Sequence, residues 1–286
     1  MSNPLEISPL AINPLVTTAW LAEHIDDDNL VIVDAYMANV VGKEPLVYDA
    51  FSCLPTARKL DIEVDFCDHS SSQSHALPTE QQFTQAVQAL GINSDSVVVL
   101  YDNQGIYSAP RAWWTFKTMG FENVYVLDGG LPQWIKEGRE TASEYTTILT
   151  LGNATAKEVK GLACDSEEVL SVINTDVAIL DARAEMRFLG KAPEPREGVR
   201  SGHIPTSKNL PFSILLDGYT YQDKAILISI FSERVSSLDT KTYFSCGSGI
   251  TACILILAAV SIGYKEVTLY DGSWADWGTN HALPIE

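Results

Sequence analysis

The chain repeats itself, and this repeat constrains the fold more than any other feature. The segment NLVIVD (29–34) has a counterpart in DVAILD (176–181), and residues 96–134 parallel residues 241–277. Both of the longer segments read as a strand, a glycine-containing loop, a helix, a glycine-aromatic turn, a second strand, an Asp-Gly pair and a tryptophan. Self-similarity of this kind indicates a duplicated structural unit. The sequence therefore predicts two homologous domains.

The strand segments indicate the class of each domain. VVVLY and VAILD are apolar throughout rather than alternating, which is typical of strands buried on both faces of a parallel sheet. Helical segments separate them, as right-handed βαβ crossovers require. We therefore expect an α/β fold with a parallel sheet flanked by helices in each domain. The expected boundaries are residues 1–145 for the first domain, a Thr- and Ala-rich linker at 146–160, and residues 161–286 for the second.

Bulk properties exclude several classes of partner. The formal net charge is −18 and no basic run occurs, which argues against nucleic acid or an anionic membrane surface as a partner. No apolar stretch reaches the ~20 residues that span a bilayer. The first twenty residues lack the basic and apolar regions of a signal peptide. The five cysteines form no CxxC pair and no cluster with histidine, so we expect no structural zinc, no other metal and a reduced, cytoplasmic protein.

The segment KTYFSCGSGITAC (241–253) is the strongest candidate for a functional site. Cys246 follows a predicted strand and precedes an apolar helix. In parallel α/β sheets, ligands bind at the carboxyl ends of the strands, where a loop leads into a helix. Backbone N–H groups and the positive end of a helix dipole favour a thiolate there, and glycines allow the loop to wrap closely around one atom.

Other interpretations of this loop are possible from the sequence. Residues 247–252 satisfy the dinucleotide pattern GxGxx(G/A), which is weak alone and here lacks a following βαβαβ array. A cysteine phosphatase needs an arginine in the loop to grip phosphate, and residues 247–253 contain no cation. A Cys-His hydrolase would need a histidine that is distant in sequence. Cys246 could also be a small buried hydrophobe, the interpretation that we favour for Cys253.

The chain resembles the two-domain rhodanese-like sulfurtransferases over essentially its whole length. The matching segments are YDNQGIYSAPRAWW in the first domain, and DARAEMRFLGKAPEPREGVRSGHIP, CGSGIT and LYDGSWADWG in the second. The resemblance implies that only the second domain is catalytic, because Asp102 or Asn103 aligns with Cys246. It further implies that Cys246 takes sulfur from 3-mercaptopyruvate as a persulfide, releases pyruvate, and passes the sulfur to a thiol, for example thioredoxin, or to cyanide, without a cofactor.

The resemblance also assigns roles to other residues. Arg187 and Arg196 correspond to the substrate-binding arginines, and Ser248 corresponds to a loop serine linked to Asp61 of the first domain in a proton relay. The resemblance gives His75 a place near the pocket and no role. The remaining loop positions are expected to contact the donor: Gly247, Gly249, Ile250 and Thr251.

Loop composition bears on the choice of donor. Relatives that prefer thiosulfate carry basic residues in this loop, whereas Gly247–Gly249 is neutral. A neutral loop favours a monocarboxylate held by arginines elsewhere. A thiosulfate sulfurtransferase and a non-catalytic persulfide carrier remain the alternatives, and two donor-binding arginines argue against the carrier.

One departure from the family pattern affects a turn in each domain. The family motif Gly-His-Ile-Pro-Gly-Ala becomes Ser52–Ala57 in the first domain and Gly202–Ser207 in the second. Threonine replaces the second glycine in both, at Thr56 and Thr206. Loss of glycine from a tight turn is expected to change its geometry.

Overall fold

The structure is a computed structural model that describes residues 13–286. Residues 1–12, which hold most of the segment examined for a signal peptide, lie outside the described residues. The first half of the chain, residues 13–145, contains the following elements: β1 (Leu15–Val16), α1 (Thr18–His24), β2 (Leu30–Tyr36), β3 (Arg58–Asp61), α2 (Ile62–Asp65), α3 (Glu80–Ala89), β4 (Val97–Tyr101), α4 (Ala109–Thr118), β5 (Val124–Leu127) and α5 (Gly130–Lys136).

The second half, residues 161–286, repeats this order with additions. Its elements are β6 (Ala163–Cys164), α6 (Ser166–Val172), β7 (Ala178–Asp181), α7 (Glu185–Phe188), β8 (Lys208–Asn209), a 3₁₀ helix (Phe212–Leu215), β9 (Leu216–Asp217), β10 (Thr220–Tyr221), α8 (Lys224–Ser232), β11 (Thr242–Ser245), α9 (Ala252–Ile262), β12 (Val267–Tyr270) and α10 (Ser273–Thr279).

The two five-stranded sheets have the same topology. Their strand orders are β1-β5-β4-β2-β3 and β6-β12-β11-β7-β8, and every strand pair in them is parallel. The central strands are fully buried, because helices cover both faces of each sheet. The α/β class with flanked parallel sheets is therefore confirmed.

Strand register establishes which residues of the two halves correspond. Asp34 pairs with Tyr101 in the first sheet, and Asp181 pairs with Ser245 in the second. The next residues along the two central strands are Asp102 and Cys246. The structure thus selects Asp102, rather than Asn103, as the counterpart of the candidate nucleophile.

The segment expected to be a linker packs against the first half. Residues 146–160, all of them described, form no helix or strand. Their backbone nevertheless bonds to α3 and its following turn, with the Gly152 amide donating to Gln88 at 2.8 Å and the Ala154 amide to Ile92 at 3.1 Å. Ala154 is buried. These hydrogen bonds hold residues 146–160 against the surface of the first half.

The two halves share part of one core. Helices α4 and α9 pack against each other, and one apolar cluster contains residues of both, among them Trp113 and Leu257. Helix α9 is buried along nearly its whole length, which explains its unbroken apolar sequence. The loop that precedes α9 is consequently held at the junction between the halves.

Candidate active site

Cys246 lies directly after β11, in the loop that leads to α9. Cys246 is 1% exposed. The Cys246 amide donates to Ser273 Oγ at 3.1 Å, and the Trp274 amide donates to the Cys246 carbonyl at 3.0 Å. The first turn of α10 therefore holds the backbone of Cys246 from behind. We call residues 246–251 the Cys246 loop.

A cavity of about 310 Å³ opens in front of Cys246. Residues of both halves of the chain form it, so the first half supplies part of the wall around Cys246, which belongs to the second half. The lining residues are Met37, Asn39, Val41, Glu63, His75, Tyr107, Arg187, Pro195, Arg196, Cys246, Gly247, Ser248, Ile250 and Thr251.

Two guanidinium groups lie beside the loop. A Cβ atom placed on Gly247 would lie 3.3 Å from Arg187 Nη2 and 3.9 Å from Arg196 Nη1. Arg187 is oriented by Glu194, which also accepts from Arg183 at 2.9 Å. Because Arg187 and Arg196 both line the cavity, they can offer several N–H donors to an anion bound in front of Cys246.

Ser248 has partners from both halves. Arg196 Nη2 donates to Ser248 Oγ at 3.0 Å, and His75 Nδ1 lies 3.0 Å from the same oxygen. His75 Nε2 lies 3.5 Å from Glu63 Oε1. Burial, followed by the nearby Arg111 and Arg196, lowers the pKa of His75.

These contacts determine the proton positions. A lowered pKa leaves the imidazole neutral near pH 7, with one N–H. That hydrogen belongs on Nε2, because Nε2 faces the carboxylate of Glu63. Nδ1 is then an acceptor, so Ser248 donates its hydroxyl hydrogen to His75 while it accepts from Arg196. Ser248 therefore contacts one side of the His75 imidazole, and the other side of the ring faces the carboxylate of Glu63 at 3.5 Å.

A buried ion pair joins the two halves behind the loop. Arg111, on α4, is 1% exposed, and its Nη1 lies 2.7 Å from Asp271 Oδ1. Arg111 also donates to the Gly249 carbonyl at 3.3 Å and to the His75 carbonyl at 2.6 Å. Asp271 accepts from the Leu77 amide at 2.8 Å. One ion pair thus fixes both the Cys246 loop and the segment that carries His75.

Gly249 satisfies a backbone and a space requirement. Its φ is +79°, in the left-handed region, and a Cβ there would lie 2.9 Å from both Arg111 Nη1 and the Asp271 carbonyl. Any side chain would displace that ion pair or the loop. Gly249 is therefore a structural requirement of the loop and does not line the cavity.

The equivalent loop of the first half holds an anion of its own. Asp102 is 1% exposed, and its Oδ2 accepts from the amides of Tyr107 at 2.8 Å and of Ser108 and Ala109 at 2.9 Å. A loop at the end of the central strand is therefore able to direct several N–H groups at one buried anionic atom. In the second half, Cys246 occupies the position of Asp102.

Not every residue singled out from the sequence reaches the cavity. Cys246, Gly247, Ser248, Ile250, Thr251, Arg187 and Arg196 line it. Asp61 does not: its side chain accepts from the Glu63 amide at 3.2 Å and caps α2. Glu63, Arg111 and Asp271 also contribute to the site and were not predicted from the sequence, and no role was predicted for His75. Of these residues, only Asp271 could have been identified from the local sequence, because it is a polar residue directly after a buried strand.

The other four cysteines do not line the cavity. All five cysteines are free. Burial raises the pKa of Cys253 to about 12 and the pKa values of Cys53 and Cys67 to about 11, which keeps these three thiols protonated near neutral pH. Among residues 13–286, no group of three or more His, Cys, Asp or Glu residues could hold a metal ion, and no helix is long and apolar enough to cross a bilayer.

Two regions of the chain, residues 17–137 and 165–280, match the rhodanese-like domain. The chain therefore belongs to the rhodanese-like family, as its resemblance to that family implied. The 3-mercaptopyruvate sulfurtransferase of Escherichia coli K12 is 37% identical over 270 residues, which cover 93% of this chain and 95% of that protein. The mitochondrial thiosulfate/3-mercaptopyruvate sulfurtransferase 1 of Arabidopsis thaliana is 36% identical over 297 residues, covering 96% of this chain and 78% of that one.

A solved structure shows the same architecture. The crystal structure of SseA from Escherichia coli, described for the rhodanese fold and catalytic mechanism of 3-mercaptopyruvate sulfotransferases, superimposes with a TM-score of 0.79. It is 34% identical, and the alignment covers 92% of this chain and 99% of that chain. The fold and the sulfurtransferase class expected from the sequence are confirmed.

Proposed function

We propose that this sulfurtransferase takes sulfur from 3-mercaptopyruvate and carries it as a persulfide on Cys246. The observation that carries the proposal is the placement of Arg187 and Arg196 beside Gly247, in the cavity that contains Cys246. Two guanidinium groups suit a carboxylate and the adjacent carbonyl. The loop itself is neutral, so the charge that selects the donor comes from outside it.

The chemistry follows from this arrangement. The Cys246 thiolate attacks the sulfur of 3-mercaptopyruvate, and the S–S bond forms as the C–S bond breaks. The bonding electrons leave with carbon as the enolate of pyruvate, which then takes up a proton. An acceptor thiolate attacks the outer sulfur in a second step and regenerates the Cys246 thiolate, giving a ping-pong cycle. Loop N–H groups like those that hold Asp102 would stabilise the anionic sulfur.

Ser248 and His75 supply a route for the proton. Neutral His75 accepts a hydrogen bond from Ser248, so it can receive the thiol proton of the donor through the Ser248 hydroxyl. The same pair can return that proton to the enolate carbon. The carboxylate that supports His75 in this proposal is Glu63. Asp61, which was expected to be linked to Ser248 in the relay, caps α2 instead.

The partners and compartment are part of the same proposal. A thiol acceptor is required to complete the cycle, and a small dithiol protein of the thioredoxin kind meets the chemical need for a strong sulfur acceptor. Five free cysteines suit a reducing compartment, for which we propose the cytoplasm. No nucleic acid partner is proposed, given a net charge of −18.

Thiosulfate is the competing donor, and substitution of the arginines distinguishes the two. We expect Arg187→Ala and Arg196→Ala to lower kcat/KM with 3-mercaptopyruvate by at least about tenfold, since each removes a charge-assisted contact worth about 1.5–3 kcal/mol. The loss with thiosulfate should be smaller. Arg139→Ala, which removes an arginine paired with Glu137 away from the cavity, is the matched control.

Steady-state assays with both donors, on the same enzyme preparations, make this comparison. Equal losses with the two donors would remove the carboxylate argument. A higher kcat/KM of the unaltered enzyme for thiosulfate than for 3-mercaptopyruvate would overturn the proposed donor and favour a thiosulfate sulfurtransferase.

A further inference from the structure

A second cavity, of about 470 Å³, lies in the first half at the carboxyl edge of its sheet. Asp34 from β2, Lys59 from β3 and Asn103 after β4 form part of its wall. This edge is where parallel α/β sheets bind ligands. The cavity shares no lining residue with the one in front of Cys246. We call it the first-half cavity.

The first-half cavity contains a buried carboxyl group with an unused acceptor. Asp34 is 2% exposed. Its Oδ2 accepts from the Tyr145 hydroxyl at 2.9 Å. Its buried Oδ1 has no partner at hydrogen-bonding distance among the described residues, although the nearby Tyr101 hydroxyl favours the ionised form and offsets part of the rise that burial causes in the pKa of Asp34. Buried polar atoms are satisfied in most proteins, and an exception calls for an explanation.

In the second half, the aspartate that corresponds to Asp34 has its hydrogen-bond acceptors filled. Asp181, the counterpart of Asp34 by strand register, binds the guanidinium group of Arg183, whose Nε and Nη2 contact Asp181 Oδ2 at 2.9 and 2.7 Å. Arg183 Nη2 also donates to the Gly202 carbonyl at 2.8 Å. The guanidinium carbon lies 4.4 Å from the ring centroid of Trp274.

The first half has the same surroundings without the arginine. Tyr36, two residues after Asp34, stands where Arg183 follows Asp181. Ser52 corresponds to Gly202, because Cys53 and His203 make matching backbone bonds, the Cys53 amide to Ala142 at 3.0 Å and the His203 amide to Glu286 at 2.9 Å.

Leu131 corresponds to Trp274, since each lies three residues after the aspartate that follows β5 or β12. Asp34, Ser52 and Leu131 all line the first-half cavity. The cavity therefore lies where the second half carries the guanidinium group of Arg183.

We propose that the first-half cavity binds the guanidinium group of a small molecule, with Asp34 as its anionic partner. A planar guanidinium matches a carboxylate through two parallel hydrogen bonds, which a single ammonium does not reproduce. This site is separate from the sulfur-transfer site, and its ligand is independent of the proposed sulfur donor.

Aromatic side chains add to the fit for a cation. Tyr48, Phe51 and Tyr145 line the first-half cavity and offer ring faces, to which cations are attracted, whereas the ring of Tyr36 is already covered by a lysine. Lys59 Nζ already lies 4.4 Å from the ring centroid of Tyr36. Lys59 pairs with Asp61 at 3.9 Å rather than with Asp34, so the carboxyl group stays available to a ligand.

Protonation of Asp34 makes the binding depend on pH. Burial raises the pKa of Asp34 to about 7. A cation binds the ionised carboxyl group, so binding displaces the proton and strengthens as pH rises through 7. Between pH 6 and pH 8 the ionised fraction grows about tenfold. The titratable groups around Asp34 are Tyr36, Tyr48, Cys53, Lys59, Tyr101, Asp102 and Tyr145.

Titration of the purified full-length protein with methylguanidinium chloride tests the proposal, followed by calorimetry and by NMR at pH 6 and pH 8. We expect saturable binding at one site that is about tenfold tighter at pH 8. Urea, a neutral planar analogue, and sodium chloride should not bind. Absence of saturable binding at pH 8, or equal affinity at the two pH values, would overturn the proposal.

Three variants locate the site. Asp34→Asn and Tyr36→Arg should both lose methylguanidinium binding, the second because a tethered guanidinium group takes the position of the ligand. Tyr36→Arg should also raise the melting temperature. Asp95→Asn, which makes the same charge change on an exposed residue that does not line the cavity, should bind as the unaltered protein does. Binding that persists in a folded Tyr36→Arg variant would contradict the proposal even if Asp34→Asn fails to fold.

Discussion

Thr56 and Thr206 are held in a backbone conformation that disfavours their side chains. Their φ angles are 61° and 67°, in the left-handed region, where a β-branched residue is an outlier. Both stand where the family motif has glycine. Glycine adopts such angles without steric cost, whereas the threonines bear a cost of about 1–2 kcal/mol each.

Relief of this strain is measurable at Thr206, whose side chain is exposed. Thr206→Gly should stabilise the protein by about 1 kcal/mol, offset in part by the greater freedom of glycine in the unfolded chain. A rise of about 2 °C in melting temperature is the expected result. The neighbouring Ser207→Gly, at a residue without a positive φ, should lower it. A Thr206→Gly variant that melts below the unaltered protein would contradict the strain argument.

Individual site residues were predictable where the chemistry is local. Cys246, Ser248 and the two arginines line one cavity, and each belongs to a short motif that can be identified in the sequence. The partner of Ser248 could not be obtained in this way. Asp61 and Glu63 are two residues apart, and the path of the chain from there to His75 depends on contacts with Arg111 and Asp271. Such contacts join residues far apart in sequence.

At the scale of elements, α4 of the first half controls the geometry of a loop in the second. Its Arg111 reaches the carbonyl groups of Gly249 and His75 and pairs with Asp271 after β12. The pair is buried, so loss of one charge leaves the other without a partner, at a cost of about 3–5 kcal/mol. The Cys246 loop and His75 would then lose their common support.

Substitution of Asp271 tests this positioning role. Asp271→Asn should lower kcat with 3-mercaptopyruvate by about tenfold or more, because small displacements of reacting groups have large effects on rate. KM should change little, since Arg187 and Arg196 do not contact Asp271. Asp239→Asn, the same change in an exposed pair with Lys265, is the control. Steady-state assays well below the melting temperature of the variant measure both constants. An unchanged kcat would contradict the positioning role of Asp271.

The sheets themselves were predictable from the sequence, because apolar strands and the repeat report on local burial. The segment 146–160 was expected to be a linker, and its bonds to the first half could not be anticipated. Backbone hydrogen bonds of irregular segments leave no periodic pattern in the side chains. The packing of α4 on α9 was also not predicted, since an entirely apolar helix does not reveal which face meets which partner.

The whole molecule shows how a duplicated fold divides its work. The register makes Asp102 and Cys246 equivalent. In the first half, the loop amides hold the carboxylate of Asp102, and that half contributes Glu63, His75 and Arg111 to the other. The second half retains a thiol at the same place. Because the net charge is −18, the proposed anionic donor would be attracted locally, through Arg187 and Arg196.

Cys246 is proposed to carry the sulfur. The most direct test is mass spectrometry of the peptide that contains Cys246, after incubation of the full-length protein with 3-mercaptopyruvate and no acceptor. We expect a gain of about 32 Da, one sulfur, on that peptide, with an equal amount of pyruvate released. Cys253→Ser should behave as the unaltered protein, and Cys246→Ser should gain nothing. Full pyruvate release by Cys246→Ser, or sulfur found on another cysteine, would contradict it.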